Sequence, residues 1–187
     1  VADQGESLLE GLDQNRLDIP AWLWSAWSSL GRSVPRAIAR GISHEAPLDL
    51  TLRPGATAPE GGELLPTGSV RMPAGTRVAE LPGYEEGAFW VQDAAATLPA
   101  RLLNAQPGEH VTDLCAAPGG KTAQLAVTGA ILTAVEHTPN RLTRLRATLQ
   151  RLAHKVDIVQ ADATTWQPDT FQDALLLVPP CPAPGTA

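Results

Sequence analysis

Cysteine is scarce in this 187-residue chain, with only Cys115 and Cys181, far apart. A disulfide framework is therefore not expected, and a reducing, cytoplasmic setting fits best. No apolar run reaches membrane-spanning length, which argues against a transmembrane segment. The opening stretch VADQGESLLEGLDQ is acidic and polar, unlike a secretory signal, and begins on Val1 rather than Met, as a piece of a longer chain would. The four histidines, 44, 110, 137 and 154, share no ligand-like spacing with each other or with the cysteines, so no metal site is expected. Net positive charge is missing too. The total is −6, with 7 basic and 12 acidic residues over 1–90 against 7 and 8 over 91–187. A nucleic-acid partner would need a local basic patch. No repeat or low-complexity tract is present, and 187 residues suffice for one good core plus an appendage.

What is present falls into three textures. Residues 1–45 are a helical segment: PAWLWSAWSSLGRSVPRAIARGIS, 20–43, predicts two short helices. Trp22, Leu23, Ala26, Trp27 and Leu30 stand at helical spacing, and their expected role is core packing. Residues 46–84 hold strand-like pieces, LDLTLR, GSVRM and RVAELPG, separated by Pro and Gly. They predict a small α+β module or connector outside any larger sheet. From residue 85 the pattern alternates. FWVQDAAATLPARLLNA reads as helix and HVTDL as strand; GGKTAQLAVTG is a helix ending at Gly129. Strand ILTAVE, helix TPNRLTRLRATLQRLA, and strands VDIVQ and DALLLV follow. Thr138 is a plausible N-cap, with Pro139 at the first helical position. Strands apolar on both faces and alternating with helices predict an α/β core, a Rossmann-like parallel sheet with flanking helices over 85–187.

In such sheets ligands sit beyond the carboxyl ends of the strands. Asp113 ends the first strand, and DLCAAPGGKTAQLA follows it into a helix. Ala116, Ala117, Gly119 and Gly120 allow close approach to the backbone, and the N–H groups of the starting helix favour a negative group. Glu136 ends the second strand, where an acid typically grips a ribose diol, and Asp162 follows the third. Three acids at three successive strand ends make a constellation suited to a nucleoside with few negative charges, such as adenosine bearing an amino-acid side chain. A phosphate loop for ATP or GTP is the competing reading. CAAPGGKT carries its Gly-Lys-Thr, but Cys115 replaces the first glycine and Asp113 would repel a triphosphate. A tight turn with no ligand is the plain alternative. Arg141, Arg144, Arg151 and Lys155 form a basic stripe on the long helix, read as its solvated back rather than a phosphate track.

The stretch VQDAAATLPARLLNAQPGEHVTDLCAAPGGKTAQLA, with CAAPGGK at its centre, resembles the Sun/Fmu-type 16S ribosomal RNA cytosine-C5 methyltransferases. IPAWLW and PLDLTLR are similar to the bacterial branch that places a small RNA-facing module before the catalytic core. The resemblance implies a class I methyltransferase fold, S-adenosylmethionine as cofactor and ribosomal RNA as partner; the oligomeric state is not fixed by the sequence, and a monomer is favoured. It further implies that Cys115, Ala116, Ala117, Pro118, Gly119, Gly120 and Lys121 cradle the cofactor. Glu136 would hold the ribose, where the family usually has Asp, and Asp162 the adenine. The family's fourth strand ends Asp-Ala-Pro-Cys-Ser-x-Thr-Gly-Thr, whereas this chain has VPPCPAPGT. Pro180, Cys181, Gly185 and Thr186 match; Val178, Pro179, Pro182 and Pro184 do not. Cys181 matches the thiol implicated in product release, and Val178 stands at an altered cofactor position. The attacking cysteine of the family has no counterpart among these residues. The chain alone is therefore expected to be inactive, and a catalytically dead domain that binds RNA or protein is the alternative.

Overall fold

The computed structural model describes residues 12–43 and 47–179, which fall in two compact units. Among them no helix is long and apolar enough to cross a membrane. The first unit holds helices α1 (Gln14–Leu17), α2 (Ala21–Ser28) and α3 (Val34–Ile42). The two expected helices are α2 and α3, but the expected tryptophan core is not formed. Helix α2 has no buried residue, and Trp22 and Leu30 are 68% and 70% exposed. Trp22, Trp24 and Trp27 project around the helix rather than along one stripe, so no single face can bury them all. Trp24 instead receives the guanidinium groups of Arg16 and Arg36, at 5.1 and 5.9 Å from its ring centre.

The second unit contains two sheets. The antiparallel one comprises β1 (Leu48–Leu52), β2 (Glu63–Leu64), β3 (Val70–Met72) and β4 (Phe89–Val91), in the order β2-β3-β1-β4. LDLTLR and GSVRM are strands as expected. RVAELPG is not: Val78–Glu80 forms a single 3-10 turn. The FWV segment, expected as helix, is strand β4, with Leu50 opposite Val91 and Leu52 opposite Phe89. The alternation of a strand explains why. Phe89 enters the antiparallel core with Leu50, Val70 and Met72, while Trp90 enters the neighbouring core with Leu142, Leu145 and Leu149. One three-residue strand thus serves both cores.

The parallel sheet has β5 (His110–Asp113), β6 (Ile131–Glu136), β7 (Asp157–Gln160) and β8 (Ala174–Leu176), in the order β7-β6-β5-β8. Helices α4 (Leu98–Leu103), α5 (Gly120–Ala126) and α6 (Pro139–Arg151) connect it. All strand pairings are parallel, as the Rossmann-like reading expects. Leu142, Leu145, Leu149 and Leu152 of α6 and its end are buried, each contributing about 1.5–3 kcal/mol. The chain goes from β5 to β6 and β7 on one side and returns to β8 on the other. The carboxyl end of β5 is therefore the switch point where such sheets open a crevice.

The basic stripe is a solvated back only in part: Arg144 and Lys155 are exposed, whereas Arg141 and Arg151 turn inward. Arg151 Nη1 donates to the carbonyls of Tyr84 and Phe89 at 2.6 and 3.2 Å, and its guanidinium lies 4.1 Å from the Tyr84 ring centre. Arg53 also donates to the Leu152 carbonyl. Gly87 has φ +66°, and a Cβ there would sit 2.8 Å from the Arg151 carbonyl oxygen. The end of α6 is thus bolted to the loop that enters β4.

Candidate functional site

Strand β5 delivers Asp113 to the switch point, and the turn after it is tied on several sides. Leu114 N–H donates to Leu176 O at 2.9 Å and Ala116 N–H to Val135 O at 3.2 Å, linking the turn to both neighbouring strands. Arg141 Nη2 donates to Ala117 O at 2.8 Å, so the first arginine of the stripe also turns inward. Thr122 Oγ1 donates to Asp113 Oδ2 at 2.8 Å. The Ala117–Pro118 bond is cis, and Gly119 follows at φ +108°. A Cβ on Gly119 would lie 3.1 Å from Leu145 Cδ1, so glycine here serves close packing of the turn on α6.

Two cavities meet at this turn. The first, about 310 Å³, is bordered by Asp113, Cys115, Ala116, Ala117, Pro118, Gly120, Lys121 and Val178, with Gln92 and Asp93 opposite. The second, about 480 Å³, is bordered by Cys115, Glu136, Asp162, His137, Thr138 and Leu177. Cys115, Arg141 and Pro179 belong to both walls. The structure thus brings together all the expected cofactor residues except Gly119, which faces α6. Cys181 lies outside the described residues.

The acids are prepared differently. Glu136 is 4% exposed. Its Oε1 accepts from Thr138 N–H at 3.0 Å, in place of a side-chain cap by Thr138. Its Oε2 is buried with no hydrogen bond, and Arg141 Nε stands 3.5 Å away. Asp162 is exposed, and its Oδ1 accepts from the Thr164 N–H and hydroxyl at 2.8 and 2.7 Å. Those two bonds hold its carboxyl below the usual range. Asp113 is pushed up by burial, offset in part by Thr122 and the Cys115 backbone. Burial, then the charges of Glu136 and Asp113, push the Cys115 thiol up, so it stays protonated at neutral pH and is a poor nucleophile.

The donor set fits an adenosine carrying an amino-acid tail. A dehydrated acceptor at Glu136 calls for hydroxyl donors. In the smaller cavity Lys121 can meet a carboxylate, while Asp113 and Asp93 can meet an ammonium. Among the described residues no group of three His, Cys, Asp or Glu could hold a metal ion. Sequence reasoning passed over three residues. Arg141 was placed in a solvated stripe, although its position in the first turn after Glu136 brings it back over the rim. The roles of Thr122 and Gln92 are hidden in a single sequence, because Asp113 lies 9 residues from Thr122, and Gln124 and Thr51 lie 32 and 41 from Gln92.

Residues 100–187 match the family described as 16S rRNA methyltransferase RsmB/F. Over 122 residues the chain is 42% identical to the ribosomal RNA small subunit methyltransferase B of Cronobacter sakazakii, covering 63% of this chain and 28% of that protein. The protein of that name from Pseudomonas putida is 35% identical over 207 residues, covering 97% of this chain and 47% of the relative. The chain thus spans less than half the length of either. Among solved structures, a methyltransferase homolog from Pyrococcus horikoshii superposes with TM-score 0.65 at 22% identity, covering 81% of this chain and 56% of that one, and shows the shared fold. NSun6 from the same organism, solved with SFG, superposes at 0.52 with 33% identity, covering 59% and 31%.

Proposed function

The chain belongs to the RsmB/F, Sun/Fmu-type, family of 16S rRNA methyltransferases, and from that premise we propose that it binds S-adenosylmethionine across the two joined cavities. The enzyme it belongs to would methylate C5 of a cytosine in 16S ribosomal RNA, in the cytoplasm. The observation that carries this reading is the buried Glu136 Oε2, which accepts no hydrogen bond although Arg141 pairs with it at 3.5 Å, on the cavity wall beside the Cys115–Lys121 turn. Glu136 takes the ribose hydroxyls, Asp162 the adenine, and Lys121 with the turn N–H groups the amino-acid end. In the same proposal the helical segment 1–45 and an RNA-facing region 46–84 precede a methyltransferase core over 85–187.

The cofactor supplies an electrophilic methyl group. Cytosine C5 is too weak a nucleophile to take it until a thiolate has added to C6, and a base must afterwards remove the C5 proton. Cys181 is proposed as the thiol of product release. The other cysteine, Cys115, is protonated inside the cofactor turn, so neither cysteine of these 187 residues is assigned the attack. Val178 reaches the smaller cavity with a hydrocarbon side chain where the family has a carboxylate. That supports a second reading, a methyltransferase-like domain that binds RNA without modifying it.

Calorimetry tests the first reading. The chain binds S-adenosylmethionine, and Glu136→Ala weakens binding about 5- to 150-fold, since losing one buried hydrogen-bonding partner costs about 1–3 kcal/mol. Tight ATP binding with none for S-adenosylmethionine would overturn it. Tritium transfer from labelled cofactor to unmodified ribosomal RNA tests activity. The chain alone transfers none, and label at cytosine C5 lost on Cys181→Ala would make Cys181 the attacking thiol.

A further inference from the structure

A third cavity, about 410 Å³, lies on the other side of the glycine-rich turn and is claimed by neither the cofactor nor the reacting thiols. Tyr84, Val91, Pro118, Ala147, Thr148 and Arg151 border it. It shares Val91, Pro118 and Gly120 with the smaller cofactor cavity, so the two are separated only by the turn itself. One wall is aromatic and apolar: the Tyr84 ring and a Val91 side chain that remains 53% exposed although it belongs to a strand of the antiparallel sheet. The other wall is a face of α6. Arg144, Ala147, Thr148 and Arg151 recur at helical spacing on that face, with Arg144 one turn before the cavity.

The charge on this wall is uncompensated. Arg151 spends its hydrogen bonds on the carbonyls of Tyr84 and Phe89, which hold the guanidinium in place without neutralising it. Among the described residues no carboxylate lies within ion-pair distance of Arg144 or Arg151. The exposed Glu85 and Glu86 follow Tyr84 in the chain and do not line the cavity. An apolar patch of Val91 and Tyr84, with the fixed Arg151 guanidinium lying on one face of the ring at 4.1 Å and the exposed Arg144 one turn away, is a combination that holds unpaired nucleotides: the base against the apolar patch, the phosphate toward the guanidinium groups.

We propose that this groove takes an unpaired nucleotide of the RNA strand adjacent to the one presented at the cofactor cavity. The proposal rests on the RNA-methyltransferase reading and assigns to it a second base-binding site. The groove orients the strand across the glycine-rich turn, its base against Tyr84 and Val91 and its phosphate toward Arg144 and Arg151.

Ala147 is exposed on α6 and tests the groove without touching the core. Fluorescence anisotropy with a labelled single-stranded RNA compares Ala147→Glu with Ala147→Lys, which add similar bulk with opposite charge, and a shared melting midpoint verifies their fold. Ala147→Glu weakens RNA binding about tenfold while Ala147→Lys does not. Arg144→Ala makes the slope of log affinity against log salt shallower by about 0.7, one phosphate contact on a single strand. Photocrosslinking with 5-iodouridine RNA attaches at Tyr84. Equal affinities for the Glu and Lys variants, or crosslinks confined to other segments, overturn the groove. RNA that does not bind the unaltered chain overturns it as well, leaving cofactor binding standing. Failure of S-adenosylmethionine to bind overturns the reading underneath.

Discussion

Two aspartates, one at the heart of each sheet in the second unit, are equally hidden from water yet electrostatically opposite. Asp49 of β1 is 2% exposed and Asp113 of β5 is 3% exposed. Asp49 receives a two-pronged guanidinium from Arg71 at 2.8 and 2.9 Å and the Ala94 N–H at 3.0 Å. The Arg71 hydrogen bonds, helped by Ala94, hold its carboxyl below the usual 3.8. Asp113 has a hydroxyl and a backbone N–H, no cation in direct contact, and is pushed above that value by burial. The antiparallel sheet satisfies its buried charge within itself. The parallel sheet holds a carboxyl at its rim that burial disfavours, Asp113, and leaves Glu136 Oε2 without a hydrogen bond. Unmet polar capacity gathered beside two cavities marks a place built for something to arrive.

Three measurements probe that contrast. The largest effect comes from Gln92, which closes the polar network between the sheets. Its Oε1 accepts from Trp90 Nε1 at 2.8 Å and Thr51 Oγ1 at 3.0 Å, and its Nε2 donates to Gln124 Oε1 at 3.1 Å. Gln92→Leu strands those partners and destabilises by about 3 kcal/mol, read as a lower urea midpoint at unchanged slope. Next is Asp49→Asn, which costs about 1–2 kcal/mol at pH 7, discounted because Arg71 is 40% exposed. A lowered carboxyl value stabilises above its unfolded value and ceases to as pH falls through the folded one. The penalty of Asp49→Asn therefore shrinks as pH falls below about 3.8 and vanishes only below the lowered folded value, where melting of the two chains converges. The smallest is Asp113→Asn, within about 1 kcal/mol, since the amide keeps the Thr122 bond and sheds a disfavoured charge. The sign reverses here: a raised value favours the folded chain in acid and loses that advantage as pH climbs from about 3.8 through the raised value. A steep acid-side loss abolished by Asp113→Asn rather than Asp49→Asn would invert the contrast.

The parallel sheet could be read from the chain because its information is local. Val111, Leu132, Ala134 and Val135 make apolar strands, and each ends on the polar residue that the rim needs. Glu136 and the turn through Lys121 were located for the same reason. Strand β4 was not, because Phe89–Val91 is too short to show alternation. It is a strand only by virtue of pairing with Leu50–Leu52, nearly forty residues earlier. The inward turn of Arg141 and Arg151 was hidden for a related reason. Helical spacing predicts the side of α6 on which they lie, but not that Ala117 and Tyr84 carbonyls wait there. Gln92 reads as a polar residue near a helix start, and only its assembled partners make it a hub.

The Oε2 of Glu136, ion-paired with Arg141 but without a hydrogen bond, also sets how a nucleoside would be told from its deoxy counterpart. Folding has already stripped this oxygen of water, so no solvent shell remains for a ligand to displace. A ligand that brings a hydroxyl therefore gains a hydrogen bond without first drying its acceptor, worth about 1–3 kcal/mol. A ligand without one leaves the oxygen as folding left it and forgoes that gain. Selectivity of this kind works by rewarding the right sugar rather than penalising the wrong one, and it operates even where the two bind with the same shape.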